Sequence, residues 1–110
     1  MVSVVVRNAK TGEPVGFTCS GHAEYAGKGY DIVCAGISAL THSAVLALER
    51  LTNLKLNIEQ NNRNGYLECD WFNQKEDSER ASVIIQVMLI GLYEIQRQYP
   101  DYLKVTEVEV

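Results

Sequence analysis

Hydrophobic and polar positions follow two different periods along the chain. Alternation over residues 2–9 and 15–20 predicts two strands, and the turn residues between them, 10–14, predict a hairpin. Apolar residues then recur three and four positions apart, which predicts a helix from about Ile32 to Leu51, behind a loop that spans residues 21–30.

The second half of the chain repeats this order. Alternation predicts strands at 54–58 and 66–72, joined by a turn at Asn64 and Gly65. Ser78 is the predicted cap of a second long helix that Pro100 ends, and residues 102–110 form a last strand. The predicted fold is one α+β domain over residues 1–110, in the order β-β-α-β-β-α-β. Two hairpins predict a mainly antiparallel five-stranded sheet packed with two long helices, on one or both of its faces.

Composition narrows the class of protein. The chain has 46% hydrophobic and 22% charged residues, as ordinary globular domains do, and a net charge of −4 that argues against direct nucleic-acid binding. No apolar run approaches the roughly 18–20 residues of a membrane span, so no membrane partner is expected. The first residues lack the pattern of a secretory signal, and the three cysteines are an odd number. These features predict a cytoplasmic protein without a disulfide framework.

Cys34 is the leading candidate for chemistry. Asp31 stands where a helix cap belongs, which places Cys34 in the first helical turn, where free amides and the helix dipole stabilise a thiolate. The alternative is a small buried hydrophobic residue. Cys19 and Cys69 share strand faces with large apolar residues and are predicted to belong to the core.

A cysteine nucleophile needs a base within hydrogen-bonding reach. His42 follows Cys34 by eight residues, about 12 Å along a helix axis, and is expected to face solvent or a partner. In a cysteine–histidine enzyme this leaves His22. Asp31 is either a cap or a third catalytic member that orients His22. Ser38 lies one turn after Cys34, where it either supports the reacting sulfur or bonds to its own helix.

Other residue combinations in the chain are weaker signals of a functional site. Cys19, His22, Cys34 and Cys69 have the residue types of a zinc site without its paired spacing, so no metal or other cofactor is expected. The glycine-containing segment 27–29 departs from the phosphate-loop pattern. Two non-enzymatic functions also stay open: a binding protein that holds its partner along a strand edge, with a structural Cys34, and a thiol redox sensor.

Two short blocks carry a family resemblance. Residues 20–23 (SGHA) and 31–38 (DIVCAGIS) closely resemble the Prp family of ribosomal-processing cysteine proteases, and the similarity extends over nearly the whole chain. The resemblance implies a cytoplasmic bacterial endopeptidase, typically a homodimer. Its substrate would be the N-terminal extension of large-subunit ribosomal protein number twenty-seven, cut after an aromatic residue. The family's catalytic residues fall on Cys34 and His22. In this context the non-catalytic alternative is a ribosome-assembly binding protein with a structural Cys34.

The implied reaction is nucleophilic acyl transfer through a thioester. The amides of Val33 and Cys34, in the first helical turn, are the candidate oxyanion donors. The loop before the helix is expected to close over the substrate, with glycine hinges and aromatic contacts. Its candidate residues are Tyr25, Gly27, Gly29 and Tyr30.

Overall fold

The computed structural model of the chain describes the backbone of residues 1–21, 28–63 and 65–110, and the side chains of the same residues except 28–31. Within these residues the chain forms five strands and two helices in the predicted order. The elements are β1 (Val2–Asn8), β2 (Pro14–Ser20), α1 (Lys28–Leu51), β3 (Asn57–Asn61), β4 (Tyr66–Asp70), α2 (Ser78–Gln98) and β5 (Leu103–Glu109).

The strands form one mixed sheet in the order β3-β4-β2-β1-β5. The β1–β2, β2–β4 and β3–β4 pairs are antiparallel, as the two hairpins predict. The β1–β5 pair is parallel, with Val4 opposite Val105. The α+β prediction is therefore confirmed, and the parallel edge pair makes the sheet mixed. No local pattern could show this pairing, because β1 and β5 are almost the whole chain apart.

Both helices pack against the same face of the sheet. Val2, Val4 and Val6 of β1 are buried and belong to one core cluster with Leu48 of α1 and Leu92 of α2. This settles which faces the helices cover, a question that the pattern left open. The opposite face carries polar side chains, because an antiparallel sheet can leave one of its faces exposed to solvent.

Helix α1 begins four residues earlier than predicted, at Lys28. Gly29 disfavours a helix by about 1 kcal/mol relative to alanine, but intrinsic propensity is a weak determinant within a long packed helix. Residues 32–51 are also long and apolar enough to cross a membrane by length and composition, with a mean hydropathy of 1.6, a property that the sequence analysis did not recognise. Val33, Ile37 and Leu48 of this stretch are buried in the core cluster, as in the core helix of a globular domain.

Two other boundaries differ from prediction because side chains bond backbone groups. Before β3, Lys55 donates its N–H to Gln74 Oε1 at 2.8 Å, so this segment needs no strand partner. Before α2, Asp77 occupies the cap position with a left-handed φ of 55°, and Ser78 is already helical. The Asp77 carboxylate accepts the Asn53 N–H at 2.7 Å instead of capping the helix.

Candidate active site

Cys34 lies in the second turn of α1, not in the first. Because α1 begins at Lys28, Asp31 is its fourth residue, and the prediction that Asp31 caps the helix is wrong. The favourable field of a helix N-terminus falls off within about one turn, so Cys34 receives less of it than the sequence predicted.

The backbone amides proposed as oxyanion donors are engaged in the helix. In an α-helix each N–H bonds the carbonyl four residues earlier, which assigns the amides of Val33 and Cys34 to Gly29 and Tyr30. Their expected freedom depended on a helix that starts at Ile32. The longer helix removes it, and a donor for the oxyanion has to come from elsewhere in the site.

Cys34 faces a cleft of about 250 Å³ between α1 and the sheet. Three elements supply most of its walls: α1, the end of β2, and the β3–β4 hairpin. Cys34 is half-buried, so its thiol is held by packing yet open to the cleft. The lining residues are Val2, Cys19, Gly21, Cys34, Ile37, Ser38, Thr41, His42, Gln60, Asn62, Gly65, Tyr66 and Leu67.

The thiols of Cys19 and Cys69 both have raised pKa values. Burial and, to a smaller extent, a negative charge on nearby Cys34 together raise the pKa of the Cys19 thiol from 9.0 to about 11. Burial also raises the pKa of Cys69 to about 12, with the Asp70 carboxylate adding to the effect. Both therefore stay protonated near neutral pH, which fits their prediction as packing residues. The effect of Cys34 on the pKa of Cys19 also shows that Cys19 lies close to Cys34, which the sequence could not indicate.

Gly21 brings the end of β2 to the cleft. Its φ is +104°, and a Cβ at this position would lie 2.5 Å from the Met1 carbonyl oxygen, so the position requires glycine. Gly21 lines the cleft together with Cys34, and His22 is the next residue of the chain. His22 itself lies outside the described residues, so its predicted pairing with Cys34 stays a prediction.

The predicted substrate loop falls partly on α1. Gly29 and Tyr30 are helical, so the prediction that they belong to a closing loop is wrong. Tyr25 and Gly27 lie outside the described residues. The side chain of Asp31 is likewise outside the description, and its orientation of His22 stays a prediction.

Ser38 and His42 follow Cys34 along one face of α1. All three line the cleft, at the four-residue spacing that places side chains on the same helical face. His42 is exposed, as predicted, but it faces the cleft, a role that the sequence analysis missed although the spacing signals it. Gln60, Asn62 and Tyr66 were also missed, because only folding brings the hairpin to α1. Among the described residues no group of three or more potential ligands is placed to hold a metal ion.

Comparisons with known proteins place the chain among cysteine proteases. The model of the family described as "Cysteine protease Prp" matches residues 1–104. The chain is 32% identical over 108 residues to the ribosomal processing cysteine protease Prp of Bacillus subtilis (strain 168), with 96% of each chain covered.

Two solved structures of the essential ribosomal processing protease Prp from S. aureus are similar over almost the whole chain. One, in complex with a substrate peptide, has a TM-score of 0.87 at 26% identity, and covers 98% of this chain and 100% of that one. The other, with a covalently linked product peptide, has a TM-score of 0.84 at 28% identity and the same coverage.

Proposed function

Because the chain belongs to the cysteine protease Prp family, and is therefore a cysteine protease, we propose that it removes the N-terminal extension of large-subunit ribosomal protein number twenty-seven. In this proposal it cuts after an aromatic residue. The single observation that carries the assignment to this site is the half-buried Cys34 at the cleft. Cys19 lines the same cleft, but its pKa is raised to about 11, and Cys69 is fully buried. The name of the Bacillus subtilis relative supports a ribosomal substrate.

The proposed mechanism begins with proton transfer from the Cys34 thiol to His22. The thiolate sulfur attacks the scissile carbonyl carbon, and the tetrahedral intermediate collapses to a thioester as His22 gives its proton to the leaving amine. His22 then takes a proton from water, whose oxygen attacks the thioester. The products are a carboxylate and the regenerated thiol.

Ser38 is the described side chain best placed to support the oxyanion. Its hydroxyl lies one helical turn from Cys34, lines the same cleft, and makes no hydrogen bond to a side chain or backbone group in the described part of the chain. This favours support of the reacting group over a bond to its own helix. Asp31, which does not cap the helix, is proposed to orient His22.

The decisive experiment incubates the protein with a peptide that spans the extension and identifies the products by mass spectrometry. One cut after the aromatic residue is expected for the wild type. Cys34→Ala, Cys34→Ser and His22→Ala should abolish it while they retain the fold, as judged by circular dichroism. Cys19→Ser is the matched control and should cut normally. Turnover by either Cys34 variant would remove this residue from the mechanism.

We also propose that the protein acts as a homodimer. Val83, Val87 and Ile90 lie on one face of α2 and are 60%, 61% and 72% exposed. Such clustered apolar exposure is typical of an interaction surface. Val87→Asp should shift the mass measured by light scattering to that of a monomer. Val108→Asp, on the exposed edge strand β5, should leave the dimer intact.

The proposed compartment is the cytoplasm. Cys19, Cys34 and Cys69 are all free, as suits a reducing environment. A tagged chain should fractionate with the soluble contents of the cell, and its recovery with membranes would contradict this assignment.

A further inference from the structure

The far part of the cleft contains a histidine that neither the fold nor the chemistry explains. His42 lies on α1 in the same cleft as Cys34, eight residues further on, which corresponds to about 12 Å along the helix axis. It is too distant to act as the base for the thiol. It is exposed, stands outside the core cluster, and makes no hydrogen bond or ion pair to another described residue.

Two amide side chains of the β3–β4 hairpin line the same cleft. Gln60 stands opposite Leu67 in the ladder, so its side chain is on the face of the sheet that the helices cover. Gln60 donates from Nε2 to Asn62 Oδ1 at 3.1 Å, which fixes the two amides relative to each other. Within residues 1–21, 28–63 and 65–110, no hydrogen bond engages the Gln60 side-chain oxygen or the Asn62 amino group. Together with the imidazole, the cleft offers both donors and acceptors away from Cys34.

An extended peptide advances about 3.3 Å per residue, so 12 Å corresponds to between three and four residues. We propose that His42, Gln60 and Asn62 form a subsite that binds a polar side chain of the substrate three or four residues from the cleaved bond. The side chain would be a hydroxyl, amide or carboxylate group, since these complement the donors and acceptors present. This inference rests on the proposed cleavage at Cys34. His42 is then a specificity-determining residue and takes no part in the proton transfers.

The test uses binding, so that it does not depend on turnover. Cys34→Ala protein is titrated with fluorescent peptides that span the cleavage site, each with one residue replaced by alanine, and the titrations are repeated with the Cys34→Ala/His42→Ala protein. Loss of His42 should weaken binding of the unsubstituted peptide about fivefold, the value of one hydrogen bond of about 1 kcal/mol. For the one peptide whose alanine lies three or four residues from the cut, the His42→Ala substitution should leave the affinity unchanged.

Two controls separate recognition from damage to the fold. His42→Gln keeps a hydrogen-bonding side chain and should restore most of the affinity. Ser43→Ala, at the next position of α1, is exposed and outside the cleft, and should change nothing. With Cys34 present, His42→Ala should raise KM and leave kcat unchanged.

The possible results test the subsite and the proposed cleavage reaction separately. An unchanged affinity, or an equal loss for every peptide, would overturn the subsite even if the wild type cuts the peptide. Position-specific coupling without any cleavage by the wild type would support the subsite and overturn the proposed reaction. A Cys34→Ala protein that binds none of the peptides would overturn both.

Discussion

Alkylation should distinguish Cys34 from the other two cysteines by orders of magnitude. The thiolate is the species that iodoacetamide attacks, so the reaction rate of a cysteine follows its thiolate fraction. Burial raises the pKa of Cys19 from 9.0 to about 11 and that of Cys69 to about 12. Below pH 9 these shifts reduce the thiolate fractions by about 100-fold and 1,000-fold relative to an ordinary thiol. Cys69 is also fully buried, which excludes the reagent.

The assay follows the intact mass of the native protein during treatment with iodoacetamide at pH 7.5. The wild type should acquire one adduct, located on Cys34 by peptide mapping, and lose its proteolytic activity at the same rate. Cys34→Ala should be labelled up to about 100-fold more slowly than the same variant unfolded in urea, because burial, the larger cause of the raised Cys19 pKa, remains when the Cys34 charge is removed. Its residual rate should rise about tenfold per pH unit as Cys19 begins to ionise, because Cys19 has the lower of the two raised values. Rapid single labelling of native Cys34→Ala at Cys19 would refute the argument from burial.

Three further outcomes follow from the geometry. Gly21→Ala should cost about 1–3 kcal/mol of stability in urea denaturation and reduce cleavage, because φ is +104° and the new Cβ would lie 2.5 Å from the Met1 carbonyl oxygen; a melting temperature equal to the wild type's would contradict this. Leu48→Ala, at a fully buried position, should cost about 2–5 kcal/mol in the same assay. Asp31→Asn should reduce kcat/KM about tenfold or more at an unchanged melting temperature, whereas a fall in stability with normal kinetics would indicate a structural role.

The sequence predicted those parts of the fold that depend on neighbouring residues. Val2, Val4 and Val6 alternate because one face of their strand is buried, and Ile85 and Leu92 recur at helical spacing for the same reason. Each hydrophobic period follows directly from which face of the element is buried, so the predicted types and order of the elements were correct. The predicted boundaries of the elements were less accurate where backbone groups bond side chains from elsewhere in the chain, as the Lys55 N–H does with Gln74.

The parts that could not be predicted depend on contacts between distant residues. The parallel pairing of β1 with β5 leaves no local trace, because either orientation of an edge strand has the same alternation. Gln60 and Tyr66 have ordinary hairpin patterns, and nothing in them indicates the helix against which the hairpin packs. Spacing along one helix was the only local signal for the cleft. It relates Cys34, Ser38 and His42, of which the sequence analysis used the first two.

Cys19 and Cys34 lie close together, so that a charge on Cys34 disfavours a charge on Cys19. Both line the cleft, and a negative charge on Cys34 raises the pKa of Cys19 beyond the effect of burial. A charge on Cys34 therefore opposes ionisation of Cys19, whose thiol burial already keeps protonated near neutral pH. Cys19 stands opposite Leu67 in the interior of the sheet and Cys34 lies on a helix, and both are half-buried. Replacement of Cys19 by an acidic residue would put a permanent charge there, whereas serine preserves a small neutral neighbour; proteolysis that survives Cys19→Ser and fails in Cys19→Asp would show that neutrality at this position is what Cys34 requires.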